Sequence, residues 1–314
     1  MTPLDPVFNE HSREPLAADR YVAKQRISGL IEALLAAPAH GLGRRLRIPE
    51  DFYQAPLGPD YTISSWLDDR TVRREETSFM LQIAASVPYL TDAPASVIER
   101  QYKTEVFHNN ISSPCFCAAR LLDVPLISLN HGPWNVPMVN AGERLLEDDG
   151  AVTEVAVRMV NIATTDHLRL HAEWITDRRR HQVESMESLL EHSSTILPHL
   201  DFSTIVGDQL RVISPTHRAF DLTLARLFEM ERHAVEHDAD FDPSAFKTKC
   251  HPSSQSTLDK YAAEYRFTTA DGQKLICGWH FYLPDGWRIY FAPNGNRFVV
   301  GHVGKHLPTR KYPG

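Results

Sequence analysis

The chain has 314 residues, 42% hydrophobic and 23% charged, with a formal net charge of −7. That is enough length for two domains and an ordinary balance for a globular chain with a sizeable core. The N-terminal stretch MTPLDPVFNEHSREPLAADR has no apolar signal core, and no window approaches the roughly 18 uninterrupted apolar residues of a membrane span, so a cytoplasmic protein with no membrane partner is expected.

Residues 1–19, polar and proline-containing, read as a flexible arm. Residues 21–37 carry Val22, Ile27, Leu30, Ile31, Leu34 and Leu35 towards one side and predict a helix. Residues 42–61 hold Gly and Pro breakers and read as irregular. Helices are predicted at 68–89, ended by Pro88, then at 95–108 and 114–122. The period then changes: 124–129 and 152–162 are rich in β-branched residues and predict strands around a Gly- and Pro-containing loop. Helices resume over 166–192, 203–210 and 216–237. A loop with a Pro and Ser run at 239–258 marks the expected boundary between a helical α+β body, 20–250, and an antiparallel β module, 251–314. The expected fold class is α+β.

Charge is unevenly spread. From Phe267 onward Lys274, Arg288, Arg297, Lys305, Arg310 and Lys311 face only Asp271 and Asp285, a surplus of +4 on an otherwise acidic chain. A basic module on an acidic body points to a polyanion-facing surface. Strands are predicted over 274–283, 287–292 and 297–303. Pro284-Asp285-Gly286 forms the first turn, with Gly286 left-handed, and Asn294-Gly295 the second. The first turn pairs Leu283 with Trp287, Phe281 with Ile289 and Trp279 with Phe291 on an apolar face. The second predicts Phe291 opposite Phe298, and Arg297 opposite Ala292. His280, Tyr282, Arg288, Tyr290 and Arg297 then share the other face, with Lys305 and His306 beyond the last strand. Arg side chains to hold phosphate and His or Tyr to move protons are what phosphodiester cleavage needs.

The run WRIYF…RFVVGHVGKHLPTRKY resembles the last strands of the RelE/HigB-type ribonuclease toxins over about 40 residues. That resemblance implies phosphate-binding and acid–base roles for Arg288, His302, Lys305 and Tyr312. The register derived above puts His302 opposite Trp287, on the core face. The chain as a whole looks like bacterial proteins of mobile-element and phage-defence neighbourhoods.

Other constellations are looser. His167/His171 and His233/His237 have the i,i+4 spacing used for metals on helices, without an HExxH motif. Arg211/His217 and Arg226/His233 approach the Arg–His spacing of HEPN-type helical ribonucleases, with Pro215 inside the first. Phosphate-loop, Rossmann and nucleophile-elbow motifs are absent. Cys115, Cys117, Cys250 and Cys277 form no CxxC and read as free thiols, with no metal or cofactor expected.

The expected function is a metal-independent endoribonuclease acting as a toxin or phage-defence effector. Arg288 and Arg297 would hold phosphate; His280 and Tyr290 would be acid and base; Tyr282, His302, Lys305 and His306 would contact RNA. The alternatives are a non-enzymatic component binding nucleic acid, a cognate inhibitor or a partner protein, and a metal-dependent hydrolase using the paired histidines.

Overall fold

Two-residue strands carry little periodicity, and three of them build the centre of the first sheet, of which Leu126–Ile127 lies inside the expected strand 124–129. In the computed structural model, which describes residues 4–84, 87–147, 149–237 and 241–312, Val7–Phe8 is a buried strand between Arg47–Ile48 and Leu126–Ile127, parallel to both. The expected flexible arm is therefore corrected: Leu4, Val7 and Phe8 are core residues. The fold is α+β. The chain divides into two compact units, Thr2–Ile175 and Thr176–Gly314, so the helices beyond 176, expected in the body, belong with the C-terminal sheet.

In the first unit an eight-stranded sheet has the order Val87–Pro88, Arg47–Ile48, Val7–Phe8, Leu126–Ile127, Val152–Ile162, Met138–Leu146, Thr104–His108, Ile111–Ser112. The first five run parallel. Met138–Leu146 runs against its two neighbours, so Thr104–His108 again points the same way as the parallel group. Met138–Leu146 lies partly in the expected loop, and Thr104–His108 in the expected helix 95–108, whose helical part is Ala95–Gln101. Lys103–His108 reads equally well as helix or strand alone; pairing with Met138–Leu146 decides it. Helix Arg20–Ala36 forms as expected. Asp19 caps it through the Val22 amide, and Ala23, Ile27, Leu30, Ile31 and Leu34 are buried. Helix Pro114–Leu122 has the expected bounds, with Ser113 as its N-cap and Pro114 where its missing N–H does no harm. Among the described residues no helix is long and apolar enough to cross a membrane.

In the second unit the sheet order is Leu200–Phe202, Arg297–Lys305, Trp287–Asn294, Trp279–Tyr282, His251–Pro252, antiparallel except for the Leu200–Phe202 edge. One face, with Phe281, Ile289, Phe291, Phe298, Val300 and Val303, packs on the helix Phe220–Glu236. The first hairpin has the expected register: Trp279 with Phe291, His280 with Tyr290, Phe281 with Ile289 and Tyr282 with Arg288. Gly286 is left-handed at φ 78°. The second hairpin differs. Its turn is Gly295-Asn296, so Asn294 pairs with Arg297, Pro293 with Phe298 and Phe291 with Val300. Gly295, at φ 62°, takes the first central position, the place of glycine in a type II′ turn. The slip is two residues, so inward and outward faces are kept, and Phe291 and Phe298 still meet edge-on at 5.7 Å.

Candidate nucleic-acid interface

A bulge shapes the second face of this sheet. Tyr290 pairs with His302 and Phe291 with Val300, leaving Gly301 as the extra residue. A Cβ on Gly301 would lie 2.4 Å from Cys277 Sγ and from Phe267 Cδ2, so only glycine lets the bulge approach that cluster. The bulge returns His302 to the polar face, beside Tyr290 at 5.9 Å between rings. Opposition to Trp287, expected on the core face, is thus corrected; Lys305 stands there instead.

The face is divided into a covered and an open half. Tyr265, Phe267 and Cys277 cover Tyr290, Ala292 and Val299, all buried. Tyr290 is fully buried, stands edge-on to Tyr265 at 5.5 Å, and its hydroxyl accepts from the Leu307 amide at 3.2 Å. Burial pushes the phenol upward, so Tyr290 is no proton shuttle at neutral pH, and its expected acid–base role is corrected. His302 stacks on Phe267; its Nδ1 meets the Gln209 amide at 2.8 Å and its Nε2 the Lys305 carbonyl at 3.0 Å. Both nitrogens are used within the unit, and burial lowers the ring's pKa. Arg297 is also corrected. It forms a two-pronged ion pair with Asp201 at 2.8 and 2.6 Å and donates to the Pro198 carbonyl, which leaves little of it for a ligand.

The open half gathers around Arg288. Its guanidinium lies 3.9 Å above the ring of Tyr282, which is 48% exposed. Nη1 donates to the Trp287 carbonyl, while Nε is buried without a partner. Among the described residues no carboxylate pairs with Arg288. Three imidazoles belong to the same cluster, with His280 feeling the charge of Arg288 and lying near His251 and His306. His280 is buried, with Nδ1 unpartnered. His251, on the edge strand opposite His280, lies 4.7 Å from the Tyr282 ring and 6.1 Å from that of His280. His306 is exposed and lies 6.4 Å from Tyr290. Lys305 donates to the Asp285 carbonyl, and Tyr312 is exposed, 6.5 Å from His306. Sequence reasoning missed His251, because a two-residue edge strand leaves no pattern.

Burial first, and then electrostatic interaction with Arg288, His251 and His306, push the His280 imidazole down to about 4. The unfolded chain binds this proton near pH 6.5 and the folded unit only near 4, so stability is full above 6.5 and is lost on acidification through that window. The loss attributable to His280 should approach about 3 kcal/mol. Urea unfolding at pH 7 and pH 4.5 should show it, and His280→Gln should flatten the dependence. An unchanged slope in that variant would remove His280 as its source.

The other histidine pairs gather no site. His167 Nδ1 accepts from the Ala163 amide, His171 Nε2 meets the Pro137 carbonyl, and His233 Nε2 the Asp242 carbonyl. Among the described residues neither i,i+4 pair collects a third His, Cys, Asp or Glu at ligand spacing. Arg226 is tied to Glu229 at 2.6 Å, which spends the helical Arg–His pair. No family model, curated protein or solved structure matches this chain.

Proposed function

We propose that the C-terminal unit is an RNA-contacting module that holds a backbone phosphate at Arg288. The observation that carries this reading is the arrangement of Arg288 on exposed Tyr282 beside His251, His280 and His306, with no carboxylate paired with it among the described residues. An arginine without an acidic partner, beside an open aromatic face, suits a phosphate and a stacked base together. The basic surplus of the tail, with Lys305, Arg310 and Lys311 exposed, adds a sequence-independent attraction for polyanions.

Arg288→Ala should weaken binding of a labelled single-stranded RNA by about 10-fold or more and reduce the salt slope by about 1. Arg297→Ala should leave affinity nearly unchanged, because that guanidinium is held by Asp201. Equal affinity of wild type and Arg288→Ala would overturn the reading. Absence of any RNA binding would favour a protein partner or cognate inhibitor on the same face.

Cleavage is a second reading, supported by the unpartnered Nδ1 of His280 next to Arg288. A neutral imidazole can accept a proton from a ribose 2′-hydroxyl, and His306 replaces Tyr290 as the group to protonate the leaving oxygen. The chain would then be a ribonuclease of the toxin or defence-effector kind. His280→Gln and His306→Ala should each abolish cleavage while leaving binding within a few-fold; cleavage retained in both would dismiss this chemistry.

A further inference from the structure

The first unit carries a different cluster, unrelated to the RNA reading. Val7–Phe8, Thr104–His108, Leu126–Ile127 and Val152–Ile162 all run the same way, and the chain beyond their carboxyl ends forms the usual ligand side of such a sheet. There a pocket of about 680 Å³ is lined by His11, Glu14, His108 and Trp134 among others. That volume is in the range of small-molecule sites.

The segment leading into this pocket is held by a buried polar chain. Asn9, Ser128 and Asn161 are each 0% exposed. Asn9 Nδ2 donates to Ser128 Oγ at 2.9 Å, and Ser128 Oγ donates to Asn161 Oδ1 at 2.6 Å. Asn161 Nδ2 donates in turn to the Trp134 and Val136 carbonyls. Ser12 Oγ donates to the Asn9 carbonyl and accepts from the Leu129 amide. These bonds fix both ends of the short 3-10 turn Glu10–Arg13.

On that turn, ligand atoms of Glu10 and His11 lie within 4.8 Å of each other and of Cys115 Sγ, the second residue of helix Pro114–Leu122. This is the group of three such side chains found among the described residues. We infer that Glu10, His11 and Cys115 bind a zinc(II)-class cation at the wall of this pocket.

The donor chemistry selects the ion. One carboxylate, one imidazole and one thiolate form the mixed oxygen, nitrogen and sulfur set of a borderline-soft cation, not of calcium or magnesium. Tetrahedral ligands on zinc stand roughly 3.3–3.8 Å apart, so side-chain shifts of about an ångström close the set. The Glu10 carboxylate accepts from the Tyr89 hydroxyl at 3.1 Å and from the Cys115 backbone amide, and among the described residues no Lys or Arg forms an ion pair with it. Ser113 Oγ bridges His11 Nε2 at 2.9 Å and Cys115 Sγ at 3.2 Å, so the imidazole and the thiol already face one polar atom whose bonds the ion would replace. Of the three ligands, His11 also lines the pocket, the side from which water or the oxygen of a small ligand would complete the set. Cys115 is 0% exposed, which suits a ligand and not a thiol nucleophile awaiting substrate.

Cobalt(II) is the probe. Full-length protein treated with chelator and desalted should take up one equivalent and develop the near-ultraviolet band of thiolate-to-cobalt charge transfer. Cys115→Ser should lose the band, and Glu10→Gln should weaken uptake at least 10-fold, whereas Cys250→Ser should retain both. Zinc should raise the melting temperature of wild type and not that of His11→Gln. No uptake by wild type, or a full band in Cys115→Ser, would overturn the assignment. If Cys115→Ser does not fold, His11→Gln decides: unchanged cobalt affinity in that variant also overturns it.

Discussion

Gly301→Ala is expected to destabilise the C-terminal unit by about 3 kcal/mol, a fall of about 10 °C in its unfolding temperature. The added methyl would meet Cys277 Sγ and the base of the Phe267 ring at 2.4 Å, and both side chains are buried. Neither is the free end of a flexible chain, so the strand or its cover must move. The Gly301 carbonyl is also held by the Ser203 hydroxyl at 2.6 Å, which limits retreat of the backbone. Displacing the bulge would turn His302 away from Gln209 and disturb the face beside Tyr290. Cys277→Ala in the same chain should recover part of the loss, because the sulfur is one of the atoms met. Thermal unfolding followed by near-ultraviolet circular dichroism checks this. A Gly301→Ala unit as stable as wild type would show that the bulge tolerates a side chain and does not depend on glycine.

Asn161→Leu should cost the N-terminal unit on the order of 4 kcal/mol. The substitution keeps the same branched side-chain shape with methyls in place of the polar atoms, and leaves the Ser128 hydroxyl without its acceptor and the Trp134 and Val136 carbonyls without their donor. All of this occurs where Asn9, Ser128 and Asn161 are fully buried, so water cannot substitute readily. Removing the hydroxyl as well, in Ser128→Ala/Asn161→Leu, leaves fewer orphaned groups than the sum of the single changes predicts, and the double variant should lose less than additively. Denaturant unfolding of the single and double variants measures the coupling. Strict additivity would mean that the three side chains are not one network. Because the same chain of bonds holds the turn bearing Glu10 and His11, cobalt uptake should weaken along with stability.

Much of the second unit could be read locally. Trp279–Tyr282 and Trp287–Asn294 alternate apolar and polar side chains, and a one-residue slip would bury Arg288; their register follows from that alternation and from Gly286. The faces of residues 297–300 follow too, because a two-residue slip in the turn preserves them; beyond the bulge the faces of 302–305 are reversed. The bulge at Gly301 is not fixed locally. Glycine inside a strand is a local cue for a bulge, but its place here is set by the approach of Cys277 and Phe267, supplied by the distant hairpin Arg266–Thr268 and Lys274–Ile276. That cover also removes Tyr290 from solvent and turns a supposed acid–base pair into one buried imidazole beside a structural phenol.

The first unit shows the opposite balance. Its helices Arg20–Ala36 and Pro114–Leu122 follow from apolar spacing and from the caps Asp19 and Ser113, all local. Strand Val152–Ile162 follows from its β-branched run. Leu126–Ile127 falls within the expected strand 124–129, whereas Val7–Phe8 and Arg47–Ile48 are too short for periodicity, and long-range parallel pairing makes them strands. The meeting of Glu10, His11 and Cys115 has the same origin. Cys115 lies over a hundred positions from Glu10 and His11, and only the juxtaposition of the Val7–Phe8 strand end with the start of helix Pro114–Leu122 joins them. Local sequence thus determined which segments are helices and which faces are apolar; tertiary structure decided which polar side chains meet, because that depends on partners the local pattern cannot encode.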